Sequence, residues 1–268
     1  MGFVLYPLLQ VFYLSLTSWD GFTSPIYIGL GNFNALFKDS VFYISLTNNL
    51  TWVLIFIVLN NGLGLLLAGA IDIMSHRLSR AFRIILYMSV LLPNVVVSYL
   101  FLAIYDPNIG IVDTFLKGIG LKTLGQTAWL GNANLALYSI LGSSIWQYAA
   151  FPMLIFIAAF ASISPSLYDA ALLDGANHWQ IFWRIKVPAI KPVIYTLLAL
   201  TWIWNSMPFS QIWTMTQGGP GNASQVLVTY MYENAFSGLR LGYAASISVI
   251  TFLIIVPVVI VLVWVFER

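Results

Sequence analysis

The sequence has no cysteine, only two histidines, and charged side chains at 7% of its 268 positions. Without cysteine there is no disulfide framework and no thiolate metal site. His76 and His178 each lack a second ligand at metal-binding spacing, so no metal centre is expected. No glycine-rich loop ends in Gly-Lys-Ser/Thr, which excludes ATP binding by this chain in that mode. A His-Glu-x-x-His helix is missing too, as is any acidic pair inside an apolar run, so no catalytic constellation is legible. A net charge of +2 built from so few charges marks no surface for nucleic acid. No segment repeats with a period of about 20–50 residues. With no low-complexity tract or long hydrophilic linker either, one domain over 1–268 is expected.

What is present is apolar. Hydrophobic residues make up 60% of the chain and the mean hydropathy is +0.89, whereas about a quarter of a soluble domain's residues are charged. Alternating polar and apolar strand segments are absent, which argues against a membrane barrel. The expected class is an all-α polytopic membrane protein of about six transmembrane helices, since a span needs roughly 20 apolar residues. Apolar runs place five spans near 46–71, 84–105, 135–161, 193–214 and 243–266. A sixth run, 1–16, lacks the basic start of a signal peptide. It rises only about 24 Å against a hydrocarbon core of about 30 Å, so it is expected to be a truncated first helix.

Charge sets the orientation. Arg77, Arg80, Arg83, Arg184, Lys186, Lys191 and Arg268 fall on one face of this arrangement, and Lys38, Lys117, Lys122 and Arg240 on the other. The first group is larger and packed beside helix ends, which assigns its face to the cytoplasm. The loop at 164–192 and the C-terminus are therefore expected inside.

The five complete spans contain no Asp, Glu, Lys or Arg. Proton-driven carriers, and many sodium-driven ones, place an ionisable group within the bilayer. An ion-coupled carrier of a neutral solute is thus disfavoured, although backbone carbonyls can bind sodium and keep it as the alternative. Neutral polar residues occur instead: Asn60, Asn61, Asn94, Ser98, Gln147, Asn205, Ser206 and Gln211, with Trp146, Trp202, Trp204 and Trp213. Interhelical hydrogen bonding accounts for such residues in many bundles. They equally suit a path for a polyhydroxyl ligand, with Asn94, Trp146, Gln147, Asn205, Gln211 and Trp213 as candidate lining. Pro93, Pro152, Pro208 and Pro257 fall within the expected spans, where each removes a backbone hydrogen bond. Gly62, Gly64, Ala68 and Gly69 form a stretch that permits close helix contact.

The loop at 164–192 carries a spaced pattern: Asp169-Ala170-Ala171, Asp174-Gly175, then Ile185 and Pro188. Ser164-Pro165-Ser166 can start a short helix with Asp169 in its first turn, and Gly175 supplies the positive φ that ends it. A second short helix near 178–186 would present Trp179, Phe182 and Trp183. Exposed aromatics on such a loop point to a partner surface.

This pattern resembles the coupling loop of ABC importer permeases, whose motif runs Glu-Ala-Ala, three residues, Gly, nine residues, Ile, one residue, Leu-Pro. Asp169 replaces Glu and Val187 replaces Leu, while the other positions match. The wider chain is similar to the maltose- and lactose-permease branch. Tyr6-Pro7, Gly29-Leu30-Gly31-Asn32-Phe33, the run Trp213 to Asn222 and Gly242-Tyr243-Ala244-Ala245-Ser246 all agree with it. The resemblance implies a type I importer fold that is not itself catalytic. It implies a second homologous permease, two cytosolic ATPase subunits that hold ATP and Mg, and an extracytoplasmic solute-binding protein. It also implies a bacterial inner-membrane location, ATPase contact through residues 169–188, and binding-protein contact or lidding by Gly218-Gly219-Pro220. No cofactor bound by this chain is expected.

Overall fold

A computed structural model describes residues 2–120 and 127–266. Lys122 and Arg268, both used for the orientation, lie outside the described residues. The chain starts with α1 (Gly2–Ser15), followed by β1 (Thr17–Ser18) and β2 (Ile26–Tyr27), which pair antiparallel with Thr17 opposite Tyr27. In α2 (Gly31–Leu36) the buried Asn32 amide donates to the carbonyls of Ser15 and Thr17 at 2.8 Å, tying the hairpin to the end of α1.

Asp39 accepts the Val41 N–H at 2.9 Å and so caps α3 (Ser40–Asp72), a 33-residue helix that starts six residues before the expected span at 46. At 1.5 Å per residue it is about 50 Å long, more than a bilayer's hydrocarbon core. Next come α4 (His76–Tyr87), α5 (Asn94–Ile104) and α6 (Ile111–Gly118). Then α7 (Ala136–Tyr148) and α8 (Ala150–Ala161) continue as one apolar rod, Ala136–Ala161, despite Pro152. The long loop folds as α9 (Pro165–Leu173), α10 (His178–Ile181), a π-helical turn (Phe182–Lys186) and α11 (Val187–Ala189). It leads into α12 (Lys191–Asn205) and α13 (Ser210–Thr216). Helix α14 (Leu227–Tyr232), a second π-helical turn and α15 (Leu241–Phe266) complete the chain.

Two runs read from sequence as unbroken spans are interrupted. The run at 84–105 breaks at 88–93, because Pro93 has no N–H to donate and keeps its predecessor out of the helical region. The run at 193–214 breaks at 206–209 around Pro208. The breaks free backbone groups, and neighbouring amides satisfy them: Gln147 donates to the Leu92 carbonyl at 2.8 Å and Asn49 to the Ser206 carbonyl at 3.0 Å. Among the described residues three helices are long and apolar enough to cross a membrane: Ser40–Asp72, Ala136–Ala161 and Leu241–Leu262. A fourth is reached if His178–Ala189 and Lys191–Asn205, which meet at 70°, form one bent span. The apolar parts of α1 and α5 are shorter.

Helix α3 is the axis of the packing. Its first half joins α5, α7, α13 and α14 through Trp52, Phe56, Val97, Phe101, Ile140 and Ile212. Its second half joins α8, the loop and α12 through Ala68, Ile71, Met153, Phe156, Phe160, Phe182 and Leu197. Gly64 lets α8 approach so closely that a Cβ there would stand 2.6 Å from Pro152. A third cluster of Leu36, Phe42, Tyr230, Tyr243 and Ile247 fixes α15.

Candidate functional site

Both interruptions open onto one cavity of about 430 Å3. From α3, Trp52, Phe56 and Asn60 line it at four-residue spacing, which places them on one helical face. Asn94 enters from the start of α5, Ser144, Tyr148 and Phe151 from α7 and α8, and Thr201, Trp204 and Asn205 from the end of α12. The second break and α13 supply Met207, Phe209 and Gln211. Among the described residues, no acidic or basic side chain stands in the lining.

An amide relay holds the wall. Gln211 donates to Gln147 at 2.7 Å, Gln147 donates to Asn94 at 3.1 Å, and the Tyr148 hydroxyl donates to the same Asn94 oxygen. Three buried polar atoms of the lining have no hydrogen-bond partner among the described residues: Trp52 Nε1, Asn60 Oδ1 and Ser144 Oγ. A buried polar group without a partner is costly, and these three atoms are closed off from the cavity space itself.

The structure gathers part of the sequence-derived path. Asn94, Asn205 and Gln211 line the cavity, while Gln147 stands behind it, fully buried in the relay. Trp146 is not in the lining; it is half-exposed and edge-on to Phe101. Trp213 also lies outside, stacked on Phe209 at 5.7 Å, and Trp202 turns to α15. Of the four tryptophans read as lumen candidates only Trp204 reaches the cavity. Sequence reasoning missed Trp52, Phe56, Tyr148 and Phe151, and the spacing Trp52, Phe56, Asn60 was the available signal.

In the loop, Gly175 (φ +79°) closes α9 as a Schellman turn. Its N–H bonds to the Leu172 carbonyl at 3.0 Å, and that of Ala176 to Ala171 at 2.9 Å. Asn177 and Gln180 then form a capping box that starts α10 at once. Asp174, Gly175 and Ile185 converge on a shallow hollow with Gln180 and Arg184. Asp169, Ala170 and Pro188 are exposed. Two local expectations, on Asp169 and Phe182, are corrected. Helix α9 begins at Pro165, so Asp169 is in its second turn. Ala171 faces inward. Phe182 is buried against α3, where a Cβ on Gly69 would meet its ring at 2.4 Å, so only Trp179 and Trp183 are presented.

Gly218, Gly219 and Pro220 follow α13, at the other end of the α12–α13 segment from this loop. They do not form a free tongue: Gly218 is buried against Gln225, and Ser224 donates to the Gly219 carbonyl at 2.7 Å.

A helical membrane protein with broken helices around an uncharged cavity and a patterned polar loop has the architecture of a type I ABC importer permease. The chain belongs to the family described as "Binding-protein-dependent transport system inner membrane component", which it matches over residues 60–268. It is thus a permease component, the membrane part of such a transporter and not its catalytic subunit. It is 36% identical to the probable ABC transporter permease protein YurN of Bacillus subtilis (strain 168), over 94% of this chain and 87% of that one. With the multiple sugar-binding transport system permease protein MsmF of Streptococcus mutans it shares 30% identity over 94% and 86%. Among solved structures it is similar to a chain of a bacterial ABC transporter that imports the acidic polysaccharide alginate. The TM-score is 0.87 at 26% identity, covering 99% of this chain and 90% of that one. A second structure, of an alginate transporter in complex with an alginate pentasaccharide-bound periplasmic protein, matches with a TM-score of 0.85 at 25% identity, over 97% and 87%.

Proposed function

We propose that this chain forms half of the translocation path of an ATP-driven importer of sugars or oligosaccharides. The cavity carries the reading. Aromatic faces from Trp52, Phe56, Phe151, Trp204 and Phe209 can cover the apolar faces of sugar rings, and Asn60, Asn94, Asn205 and Gln211 can bond their hydroxyls. The lining has no cation among the described residues, which favours a neutral glycan over an acidic one. The names of the relative MsmF and of the alginate transporters point to carbohydrate in general, alginate being an acidic one.

The remaining parts follow from the family. A second, homologous permease completes the path, and an extracytoplasmic binding protein delivers the sugar near the 218–220 turn. Two cytosolic ATPase subunits hold ATP and Mg. The loop at 169–188 meets one of them through exposed Asp169, Ala170 and Trp179 and the hollow at Gly175. The bundle crosses the inner membrane about six times, with this loop and the C-terminus in the cytoplasm.

The test uses the assembled transporter. Asp169→Lys and Gly175→Trp should remove binding-protein-stimulated ATP hydrolysis while the permease still inserts in the membrane. Normal stimulation in both variants would overturn the docking role.

A further inference from the structure

Lys186 is the one basic side chain of the loop that turns inward: it is 9% exposed. It forms an ion pair with Asp72, the last residue of α3. The ring centroids of Tyr168 and Phe160 lie 4.9 and 5.4 Å from its ammonium. Tyr168 is held in place by its hydroxyl on the Phe160 carbonyl at 3.2 Å. The π-helical turn Phe182–Lys186 contributes two contacts at once, since Phe182 packs on Gly69 and Lys186 pairs one turn further along α3. A buried charge needs a partner to be tolerated, and here the partner belongs to the helix that lines the cavity. From Asp72 to Asn60 α3 runs twelve residues without a break, about 18 Å. Trp52 and Phe56 continue the same helix along the cavity wall.

We propose that the Lys186–Asp72 pair is a latch that passes loop movement to α3 and so to the cavity wall. Lys186 is a positioning residue in this scheme. Its role rests on the reading that the loop docks on an ATPase. The ion pair, the two rings within 5.4 Å of the ammonium and a short unbroken span of helix make the loop and the end of α3 move as one body. Without the charge pair the loop can still dock, but it slides on an apolar contact around Phe182.

The absence of native cysteine makes the test clean. Spin labels at Leu54→Cys on α3 and Leu253→Cys on α15, both exposed, report their separation in the assembled complex before and after ATP with vanadate. Lys186→Met should keep the ATPase bound yet lose at least half of the distance change, and the exchange Lys186→Asp with Asp72→Lys should restore it. Lys186→Arg should keep most of it. The balanced apolar pair Lys186→Met with Asp72→Met leaves no unpaired charge, so it assembles even where the single variant does not, and it too should lose the movement. Full movement in Lys186→Met or in the apolar pair overturns the latch. A wild-type chain that fails to hold the ATPase overturns the docking reading and the latch with it, whereas Asp169→Lys distinguishes them by losing the ATPase itself.

Discussion

Gly64 measures how closely α3 and α8 are packed. A Cβ at this buried position would lie 2.6 Å from Pro152 Cγ, 3.0 Å from Pro152 Cβ and 3.0 Å from the Met153 nitrogen. Carbon atoms rest at about 3.5–4.0 Å, so even alanine overlaps by about 1 Å. The obstacle is a ring fused to backbone, which cannot rotate away, so the helices must separate. Separation loosens the contacts of Ala68, Met153 and Phe156 in the same cluster. Overpacking of this kind costs about 1–3 kcal/mol. Gly62, two residues earlier in the same helix, is the internal control, because no described residue lies within 4 Å of its Cβ position. There alanine should stabilise by up to about 1 kcal/mol through helix propensity. Thermal unfolding of the detergent-solubilised subunit should therefore show Gly64→Ala melting lower than wild type and Gly62→Ala at or above it. Equal behaviour of the two variants would refute the close-packing argument.

Other outcomes follow from single contacts. Asp39 loses solvation at its site, but hydroxyl donation from Tyr230 and Tyr243 and backbone N–H groups outweigh this and lower its pKa. A lowered carboxylate pKa adds stability that is full above the ordinary Asp value and is lost as pH falls through the folded one. Asp39→Ala should thus cost about 1 kcal/mol near neutral pH, and the gap to wild type should close below about pH 4 in melting curves. Gln147→Leu strands the Leu92 carbonyl and the Gln211 amide, so the subunit should lose about 1–3 kcal/mol of stability, read as an earlier melting point. Trp204→Ala should weaken apparent affinity for transported sugar about tenfold in uptake assays with assembly unchanged. Gly175→Val forces a β-branched residue to φ +79°, a local cost of about 1–2 kcal/mol, and amide exchange should show α9 opening more often.

The membrane class, α3, the α7–α8 rod and α15 were legible because long uncharged runs have few other solutions. The turn at Gly175 was legible as well, since one position needed positive φ and one residue type supplies it readily. The runs holding Pro93 and Pro208 were read as single spans and are interrupted instead. Their freed carbonyls are taken up by Gln147 and Asn49 from distant helices, a tertiary compensation that local sequence does not reveal. The candidate path divided for the same reason. Amides were found because polar residues stand out in apolar runs, but Trp146 and Trp213 could not be told from Trp204 without knowing which face each helix turns inward. Lys186 was read as one more cytoplasmic charge, and its burial against Asp72 depends on a π-helical turn with no sequence signature.

The central claim is that this bundle moves sugar with work taken from ATP through one loop. The direct measurement is uptake of labelled oligosaccharide into proteoliposomes containing the chain together with its proposed partner permease, ATPase and binding protein. Uptake should require enclosed ATP and external binding protein together, and should vanish in Asp169→Lys. Accumulation by the chain alone on an ion gradient, without ATP, would contradict the account.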